Sequence, residues 1–317
     1  MAGTAAGTAC EAGAMNSTCE HARGTGADRQ RGIALVLVLW LLVLLSVIAT
    51  SHARVIRTET RLASNQVEAS KARSLAEAGA HHAILELLVR DESQRWPVDG
   101  SINRISYEDG DVAIAIRDTR GLIDINKVQA AQLGTILDGI GLEEARRSAL
   151  VDATLDWRDR DNLKHVNGAE DDDYRQAGLK WAARDGPFSS VEEFRYVQGM
   201  TNTLFERLAP YLTVHSDQAG IMLDFAPAWL VSVLTDTRDA SQSGTAARRR
   251  GGSAFRITVR ATSNGGSTAS LDMEVRITPT GDQPYKILSW RAPSRSINAS
   301  FWRDAGDSSN RPENEAG

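Results

Sequence analysis

The sequence has very little cysteine. Its two cysteines, Cys10 and Cys19, both precede the long apolar run that begins at Ile33. If the segment before that run is removed, the mature chain has no thiol and no disulfide. An oxidising compartment is then permitted.

The chain also lacks a basic excess and the common catalytic motifs. Its formal net charge is −5 and its pI is about 5.8, whereas nucleic-acid-binding proteins usually carry clustered positive charge. The sequence contains no G-x-S-x-G, H-E-x-x-H, P-loop or dinucleotide-binding fingerprint. These absences favour a protein that is not an enzyme and has no nucleic-acid partner.

One segment is apolar enough to enter a membrane. The run 33–49, from Ile33 to Ala49, contains no charged side chain. At 1.5 Å rise per residue it forms roughly 25 Å of helix, near the lower limit for crossing a bilayer. No A-x-A-like site follows it, so a conventional signal peptide fits poorly and we expect the helix to stay on the protein. Leu37 and Trp40 belong to this predicted membrane helix, where Trp40 would face lipid or a neighbouring helix.

The charges around the run say little about its orientation. Arg29 and Arg31 precede it, and Arg54 and Arg57 follow it just as closely. The positive-inside rule therefore gives only weak support for a cytoplasmic N-terminus.

A continuous helix is predicted from Ile33 to about Arg90, because this segment contains no proline and Trp96-Pro97 follows it. In its second half, apolar and small residues recur at spacings of three, four or seven and form one stripe that must cover a sheet or another helix. The small residues predict close approach by the element that packs there. The stripe consists of Val55, Leu62, Ala69, Ala72, Ala76, Gly79, Ala83 and Leu87.

The pattern after this helix changes from strands to helices and back to strands. A hairpin is predicted over 102–107 and 112–117, with a turn at Asp109-Gly110. Residues 121–214 have helical patterns instead, with Asn126 as the N-cap of a helix over 127–138. Residues 229–234 fit a strand or a short helix. Strands are predicted again over 255–262, 270–278 and 285–291.

The junction Arg31-Gly32, followed at once by an apolar helix, resembles the prepilin cleavage site of type IV pilins and type II secretion pseudopilins. The resemblance implies that a prepilin peptidase cuts after Gly32 on the cytoplasmic side and methylates the new N-terminus at Ile33. Most such proteins have a glutamate five residues into the mature helix, and this chain has Leu37. A buried carboxylate there needs a partner, which in the family is the amino terminus of a neighbouring subunit.

Several further motifs narrow the resemblance. The runs LDWRDRD, NGAEDDDY and FSSVEEFRYVQGM, followed by LAPYLTV, together with Leu37 and an α-rich insertion between strands, resemble the K-type minor pseudopilins of the type II secretion system. The resemblance covers residues 31–214 well, and the rest only as a strand pattern. It implies a non-enzymatic subunit at the tip of a periplasmic pseudopilus, where its bulky insertion blocks further addition and where it supports protein export.

The resemblance also implies an architecture, a location and partners. The fold would be α+β, with a pilin-like long N-terminal helix packed on a small antiparallel sheet and an inserted α-helical subdomain. The chain would be a single-pass protein of the bacterial inner membrane with its C-terminal bulk in the periplasm, where it meets other minor pseudopilins, the prepilin peptidase and the inner-membrane secretion platform. The expected parts are a leader over 1–32, a membrane half-helix over 33–49, a soluble helix with the first strands over 50–120, the α-helical subdomain over 121–214, the remaining strands over 215–303 and a disordered tail over 304–317.

An acidic loop is the candidate metal site. Carboxylates are dense around Asn167-Gly168 and repel one another, and calcium suits irregular sets of oxygen ligands. Zinc and iron suit this loop less well, because it has no cysteine and only His165 nearby. Lys164 stands where an EF-hand needs glycine, so an EF-hand is excluded. From composition alone, a solvated acidic loop is as good an interpretation, and the resemblance favours calcium. The candidate ligands are Asp156, Asp159, Asp161, Glu170 and Asp171.

Two other functions stay open. Two segments, LDGIGLEEARRSALVDA and SSVEEFRYVQGMTNTLFERLAPYL, resemble helix-hairpin-helix units that bind DNA phosphates through backbone amides. They suggest a membrane-tethered protein of DNA uptake, although the glutamates after Gly141 and the lack of basic residues after Gly199 count against it. A membrane-tethered adaptor that is never cleaved is the second alternative.

Overall fold

The computed structural model describes residues 29–89, 91, 94–236, 254–278, 283–292 and 302, except for the side chains of 29–32 and 53–58. Most of the predicted leader, with Cys10 and Cys19, lies outside the described residues. So do the predicted tail over 304–317 and the side chains of Arg31, Arg54 and Arg57. The chain divides into two units, Met1–Leu62 and Ala63–Gly317.

The first unit contains the apolar half of helix α1, which runs from Arg29 to Leu88. Within it, Ile33–His52 has a mean hydropathy of 3.0 and no part buried within the protein, and it is long and apolar enough to cross a membrane. Leu37 and Trp40 are 65% and 69% exposed. The prediction of an apolar helix is confirmed. The segment that is long and apolar enough to cross a membrane extends three residues beyond Ala49, to His52.

The second unit contains the rest of α1, a sheet and several shorter helices. The strands in the described part of the chain are β1 (Asp99–Tyr107), β2 (Gly110–Asp118), β3 (Ile123–Asp124), β4 (Leu212–Thr213), β5 (Ala254–Ser263), β6 (Thr268–Ile277) and β7 (Tyr285–Arg291). Five of them form an antiparallel sheet in the order β1-β2-β5-β6-β7. The predicted pilin-like α+β fold is confirmed. Its first turn lies one residue earlier than expected, because Tyr107 already pairs with Gly110.

Helix α1 buries one face against this sheet. The predicted stripe is confirmed from Ala72 onward, while Leu62 and Ala69 are exposed and the Val55 side chain lies outside the described residues. The buried face of the helix is wider than the predicted stripe, because a helix that packs on a sheet buries an apolar face at least about 100° wide. The additional buried residues are Leu75, Ala80 and Ile84.

The closest approach of α1 to the sheet is at Gly79. A Cβ at this position would lie 2.6 Å from Val112 Cγ1 and 3.1 Å from Val259 Cγ1. Both valines are fully buried in the sheet, and their branched side chains have little room to turn away. The predicted close approach is thus real, and it sets the distance between helix and sheet.

We call residues 123–236, which separate β2 from β5, the inserted region. Its helices are α2 (Ala130–Gly139), α3 (Glu144–Arg158), α4 (Asp171–Gln176), α5 (Asn202–Leu208) and α6 (Ala228–Asp236). The short strands β3 and β4 of this region pair in parallel. Its buried cluster includes Ile221 and Leu230, which lie beyond the expected boundary at 214, and residues 229–234 are helical rather than extended.

The prediction that Asn126 caps a helix over 127–138 is wrong. Helix α2 begins at Ala130, and its N-cap Gln129 makes no capping hydrogen bond through its side chain. Asn126 instead donates from Nδ2 to the carbonyl of Phe188 at 2.9 Å and accepts from the Phe188 N–H at 2.7 Å. Its amide side chain is therefore used in a contact between distant parts of the chain, which local sequence could not predict.

A buried ion pair of the sheet also forms hydrogen bonds with the inserted region. Arg256 of β5 donates from Nε to Glu274 of β6 at 3.0 Å and from Nη1 to the carbonyl of Pro210 at 3.0 Å. Thr213 donates to Glu274 at 3.1 Å. Although burial alone would raise it, the charge of Arg256 holds the pKa of Glu274 below its ordinary value. Breaking such a pair leaves a buried charge without compensation.

Replacing Gly79 with leucine tests the packing of α1 on the sheet. We expect Gly79→Leu to lower the free energy of unfolding by about 1–3 kcal/mol, because it adds volume where Val112 already limits the distance. Ala78→Leu, at an exposed neighbouring position, is the matched control and should change stability little. Thermal unfolding of the full chain in detergent measures both. Equal stabilities for the two variants would contradict the close-packing account.

Candidate cation site in the inserted region

The acidic cluster is built on the last turns of α3. Asp156 is fully buried, and its carboxylate accepts hydrogen bonds from the N–H groups of His165 at 3.1 Å and Ala169 at 2.7 Å. The His165 ring also contacts it through Nδ1. One turn earlier, Asp152 accepts from the Asn167 N–H at 3.0 Å. These bonds draw the loop 159–170 back over the helix.

Gly168 is needed for this close return of the loop. A Cβ at this position would overlap the Asp156 carboxylate, so any other residue would push the loop away from the helix. The backbone therefore wraps the Asp156 side chain tightly and brings Glu170 toward the end of α3. In the run NGAEDDDY, Gly168 therefore allows the close packing of the loop, and the acidic residues after it supply the negative charge.

Several carboxylate oxygens beside this loop are buried without a hydrogen-bond partner. Glu170 is 6% exposed, and both of its carboxylate oxygens are unpaired. Charged oxygens without a donor are costly to bury. The other unpaired buried oxygens in this cluster are Oδ1 of Asp159, Oδ1 of Asp171 and Oδ1 of Asp185.

The pKa values report the same lack of compensation. Burial, followed by the charges of Asp156 and Asp159, raises the pKa of Glu170 to about 7. Burial also raises the pKa values of Asp159 and Asp185, and neighbouring aspartates raise them further. These carboxyl groups therefore take up a proton more readily than exposed ones, and a bound cation would favour their charged forms.

The donor set fits a hard cation. The unpaired groups are all carboxylate oxygens, which calcium prefers in irregular numbers and geometry. One nearby group, in which the potential ligand atoms of Asp156, Asp159 and His165 lie within 4.8 Å of one another, includes a nitrogen donor. His165 is engaged with Asp156, so oxygen donors dominate. Glu170 supplies the observation that a merely solvated acidic loop does not explain, since it is buried and unpaired.

The structure brings together most, but not all, of the sequence-predicted ligands. Asp159, Glu170 and Asp171 contribute unpaired oxygens. The Asp156 carboxylate instead accepts hydrogen bonds from the loop backbone. Asp161 is exposed and accepts from the Leu163 N–H at 3.0 Å, so the structure does not place it among the unpaired groups. The assignment of these residues as calcium ligands stays a prediction.

Asp185 is the member of the cluster that sequence reasoning missed. It lies outside the acidic runs, between Arg184 and Gly186, and its backbone adopts a positive φ of 53°. A non-glycine residue in this region is uncommon and is often held there by function. Nothing in the local sequence announces that this loop returns to the end of α3.

The two segments that resemble helix-hairpin-helix units have the expected glycine turns, but the arginines near them are not free to bind an anion. Gly141, with φ of 76°, connects α2 to α3, and Gly199, with φ of 87°, connects a 3-10 helix over Val191–Tyr196 to α5. Near the first turn, Arg147 is paired with Asp138 and Glu144. Near the second, Arg195 lies over the Phe205 ring at 4.0 Å. These arginines are already engaged within the protein.

The residues predicted to flank the cleavage point, Gly32 and Ile33, lie near the start of α1. The helix already includes Gly32, and Ile33 is 65% exposed. A family model described as PilX N-terminal matches residues 31–80, so that match includes two residues before the predicted cleavage point.

Most of the inserted region matches a known protein family. A family model described as type II secretion system protein K matches residues 102–217. The type II secretion system protein K of Klebsiella pneumoniae is 28% identical over 240 residues, which covers 65% of this chain and 73% of that protein. The chain is similar to the protein K family of type II secretion. The prediction of a K-type minor pseudopilin is confirmed, and the DNA-uptake alternative is not favoured.

A second relative and a solved structure also match more than half of the chain. The protein K of Pectobacterium carotovorum subsp. carotovorum is 29% identical over 58% of this chain, and the match spans 63% of that relative's length. Among solved structures, a chain in the crystal structure of the GspK-GspI-GspJ complex from the enterotoxigenic Escherichia coli type 2 secretion system aligns with a TM-score of 0.49 and 17% identity, covering 75% of this chain and 98% of that chain.

The raised pKa values predict a pH dependence of the calcium-free protein. Glu170 has a pKa of about 7 when folded and an ordinary value of about 4.5 when unfolded, so the folded state binds more protons between these values. Its contribution to stability is complete below about pH 4.5 and is lost as the pH rises through about 7. His165, whose pKa is raised by its hydrogen bond to Asp156, acts in the same direction.

We therefore expect the melting temperature in the presence of a chelator to fall between about pH 5 and pH 7.5. Glu170→Gln should flatten this fall, because the amide does not ionise. Asp172→Asn, at an exposed acid that pairs with Arg175, is the control. A fall that is identical in wild type and Glu170→Gln would show that Glu170 is not the titrating group.

Proposed function

We propose that this chain is a non-enzymatic minor pseudopilin at the tip of the periplasmic pseudopilus, processed after Gly32. The observation that carries the proposal is the Arg31-Gly32 junction directly before an exposed apolar helix, in a chain similar to the protein K family. The precursor would wait in the bacterial inner membrane as a single-pass protein with its C-terminal bulk in the periplasm. After processing by the prepilin peptidase, it would join other minor pseudopilins and act with the inner-membrane platform in protein export.

The apolar residue at position 37 supports a place at the tip. After cleavage, Leu37 is the fifth residue of the mature helix, where most pseudopilins have glutamate. A carboxylate at this depth would need the amino terminus of a neighbouring subunit as its partner. Leu37 needs no such partner, so this chain can begin a filament without a subunit ahead of it. The inserted region adds bulk that would block addition beyond it.

We also propose that the acidic cluster binds calcium in a structural role. Asp159, Glu170, Asp171 and Asp185 would supply carboxylate oxygens that lack hydrogen-bond partners in the protein. A cation there would tie together the end of α3, the start of α4 and the loop around Asp185, which are distant in sequence. It would offset the burial and the neighbouring charges that raise the pKa of Glu170. No reacting group is needed at this site, which agrees with a non-enzymatic subunit.

Blocking the cleavage site tests the processing step. We expect Gly32→Leu to leave the leader attached and to stop export of a type II secretion substrate, because the peptidase recognises the glycine at the junction. Gly26→Leu, a substitution within the leader and away from the junction, is the matched control and should be processed normally. Export is measured as the fraction of substrate in the culture medium, and processing by the mass of the membrane-bound chain. Normal export by an uncleaved Gly32→Leu protein would contradict the proposal.

Adding calcium to the chelated protein tests the metal site. At a calcium concentration about 100 times the dissociation constant, binding to the folded state adds about 2.7 kcal/mol, which is a rise in melting temperature of roughly 5–10 °C for a protein of this size. Asp185→Asn should reduce the rise, and Asp172→Asn should leave it unchanged. Magnesium serves as the comparison ion, since it demands a more regular set of ligands. An unchanged melting temperature at saturating calcium would contradict calcium binding and favour a solvated acidic loop.

A further inference from the structure

Trp302 lies near the C-terminus, well beyond the last strand, yet it has no exposed surface. Its exposed fraction is 0%, and it is one of the largest fully buried side chains in the described part of the chain. The guanidinium carbon of Arg260 lies 4.6 Å from the centre of its ring. A cation over an indole face at this distance is an attractive contact, and burial strengthens it. The C-terminal segment therefore returns to the folded unit at this residue.

The contact identifies the side of the sheet on which Trp302 lies. Val259 and Ala261, the neighbours of Arg260 in β5, belong to the buried cluster between the sheet and α1. Because successive side chains of a strand point to opposite faces, Arg260 points away from α1. Trp302 is thus on the outer face of the sheet, the face opposite to the long helix.

The strands beside Arg260 leave room for an indole ring. Ala113 of β2 is directly opposite Arg260 on one side, and Ser270 of β6 is opposite on the other. Both are small, and both point to the outer face, because their neighbours Val112, Ile114 and Leu271 face α1. Ala113 is only 7% exposed and Ala115 only 1%, so this face is covered rather than open to solvent.

The other end of the same face is covered by the inserted region. Arg256 lies four residues before Arg260 in β5 and therefore on the same face. It contacts the carbonyls of Pro210 and Leu212. Arg276 of β6 donates to the carbonyl of His215 at 3.1 Å. The outer face therefore has two covers, the inserted region at the Arg256 end and Trp302 at the Arg260 end.

We propose that Trp302 is a docking anchor, which holds the C-terminal segment on the outer face of the sheet through Arg260 and the small residues Ala113 and Ser270. The occupant of this site is the chain's own C-terminal segment. With Trp302 in place, the part of the face that the inserted region leaves open is filled from within the molecule, and another chain cannot pack there. This anchoring is independent of the processing step and of the calcium site.

Limited proteolysis of the full chain in detergent tests the anchor. Trypsin can cleave after Arg295 and Arg303, on either side of Trp302, and mass spectrometry follows both cleavages over time. When opening is faster than cleavage, the cleavage rate reports the population of the undocked state. We expect Trp302→Ala and Arg260→Met to accelerate both cleavages by at least about tenfold, and Trp302→Phe to stay close to wild type, because phenylalanine keeps an aromatic face. Trp181→Ala, at a 40% exposed tryptophan of the inserted region, is the matched control.

A second measurement separates loss of docking from loss of folding. The full-length Trp302→Ala chain should bind a labelled peptide of residues 293–317, and the same peptide with Trp302→Ala should bind to it at least about tenfold more weakly. Unfolding caused by a variant would instead accelerate tryptic cleavage throughout the inserted region. Equal cleavage rates in wild type and Trp302→Ala, or equal affinities of the two peptides, would overturn the proposal. A leader that is never processed would leave all these outcomes unchanged.

Discussion

The packing of the second half of α1 on the sheet is the contact on which the rest of the soluble unit depends. The sheet is assembled from strands that lie on both sides of the inserted region, since β2 pairs with β5 across it. These strands share one buried cluster with α1, whose small residues and Gly79 let the helix approach closely. The helix therefore gives the separated strands a common surface, and the inserted region can be large without dividing the sheet.

The opposite face of the sheet explains how the inserted region is held. Arg256 and Glu274 are buried there and paired, with Thr213 and the carbonyl of Pro210 completing their hydrogen bonds. A buried pair of this kind adds little to stability compared with apolar packing, but each partner requires the other in one geometry. The pair thus specifies how the inserted region lies on the sheet, while the apolar cluster beginning at Ile123 supplies the burial within that region.

Features with a local signal could be predicted from the sequence, and features made by distant contacts could not. The apolar run, the long helix and the strands over 255–262 and 285–291 follow from hydropathy and periodicity. Gly79 followed from the small residues around it. Asn126 was misassigned because its partner Phe188 is far along the chain. Asp185, Arg256 and Trp302 were missed for the same reason, since each acquires its role only where the fold brings another segment beside it.

The candidate cation site and the membrane helix contribute to one account of a subunit that is anchored, processed and assembled. The acidic cluster carries an electrostatic cost that a cation would remove, and the cost is visible in the unpaired oxygens of Glu170. The apolar helix has leucine at position 37, where the proposed function requires no carboxylate and no neighbouring amino terminus to pair with it. Under the proposed function, both features would contribute to assembly and stability.

The most direct test of the central claim is the intact mass and N-terminal sequence of the chain recovered from the membranes of its own host. The account predicts a mature chain that begins at Ile33 and carries one added methyl group on its amino terminus. A chain that retains its leader would contradict processing after Gly32, and with it the proposed route into the pseudopilus.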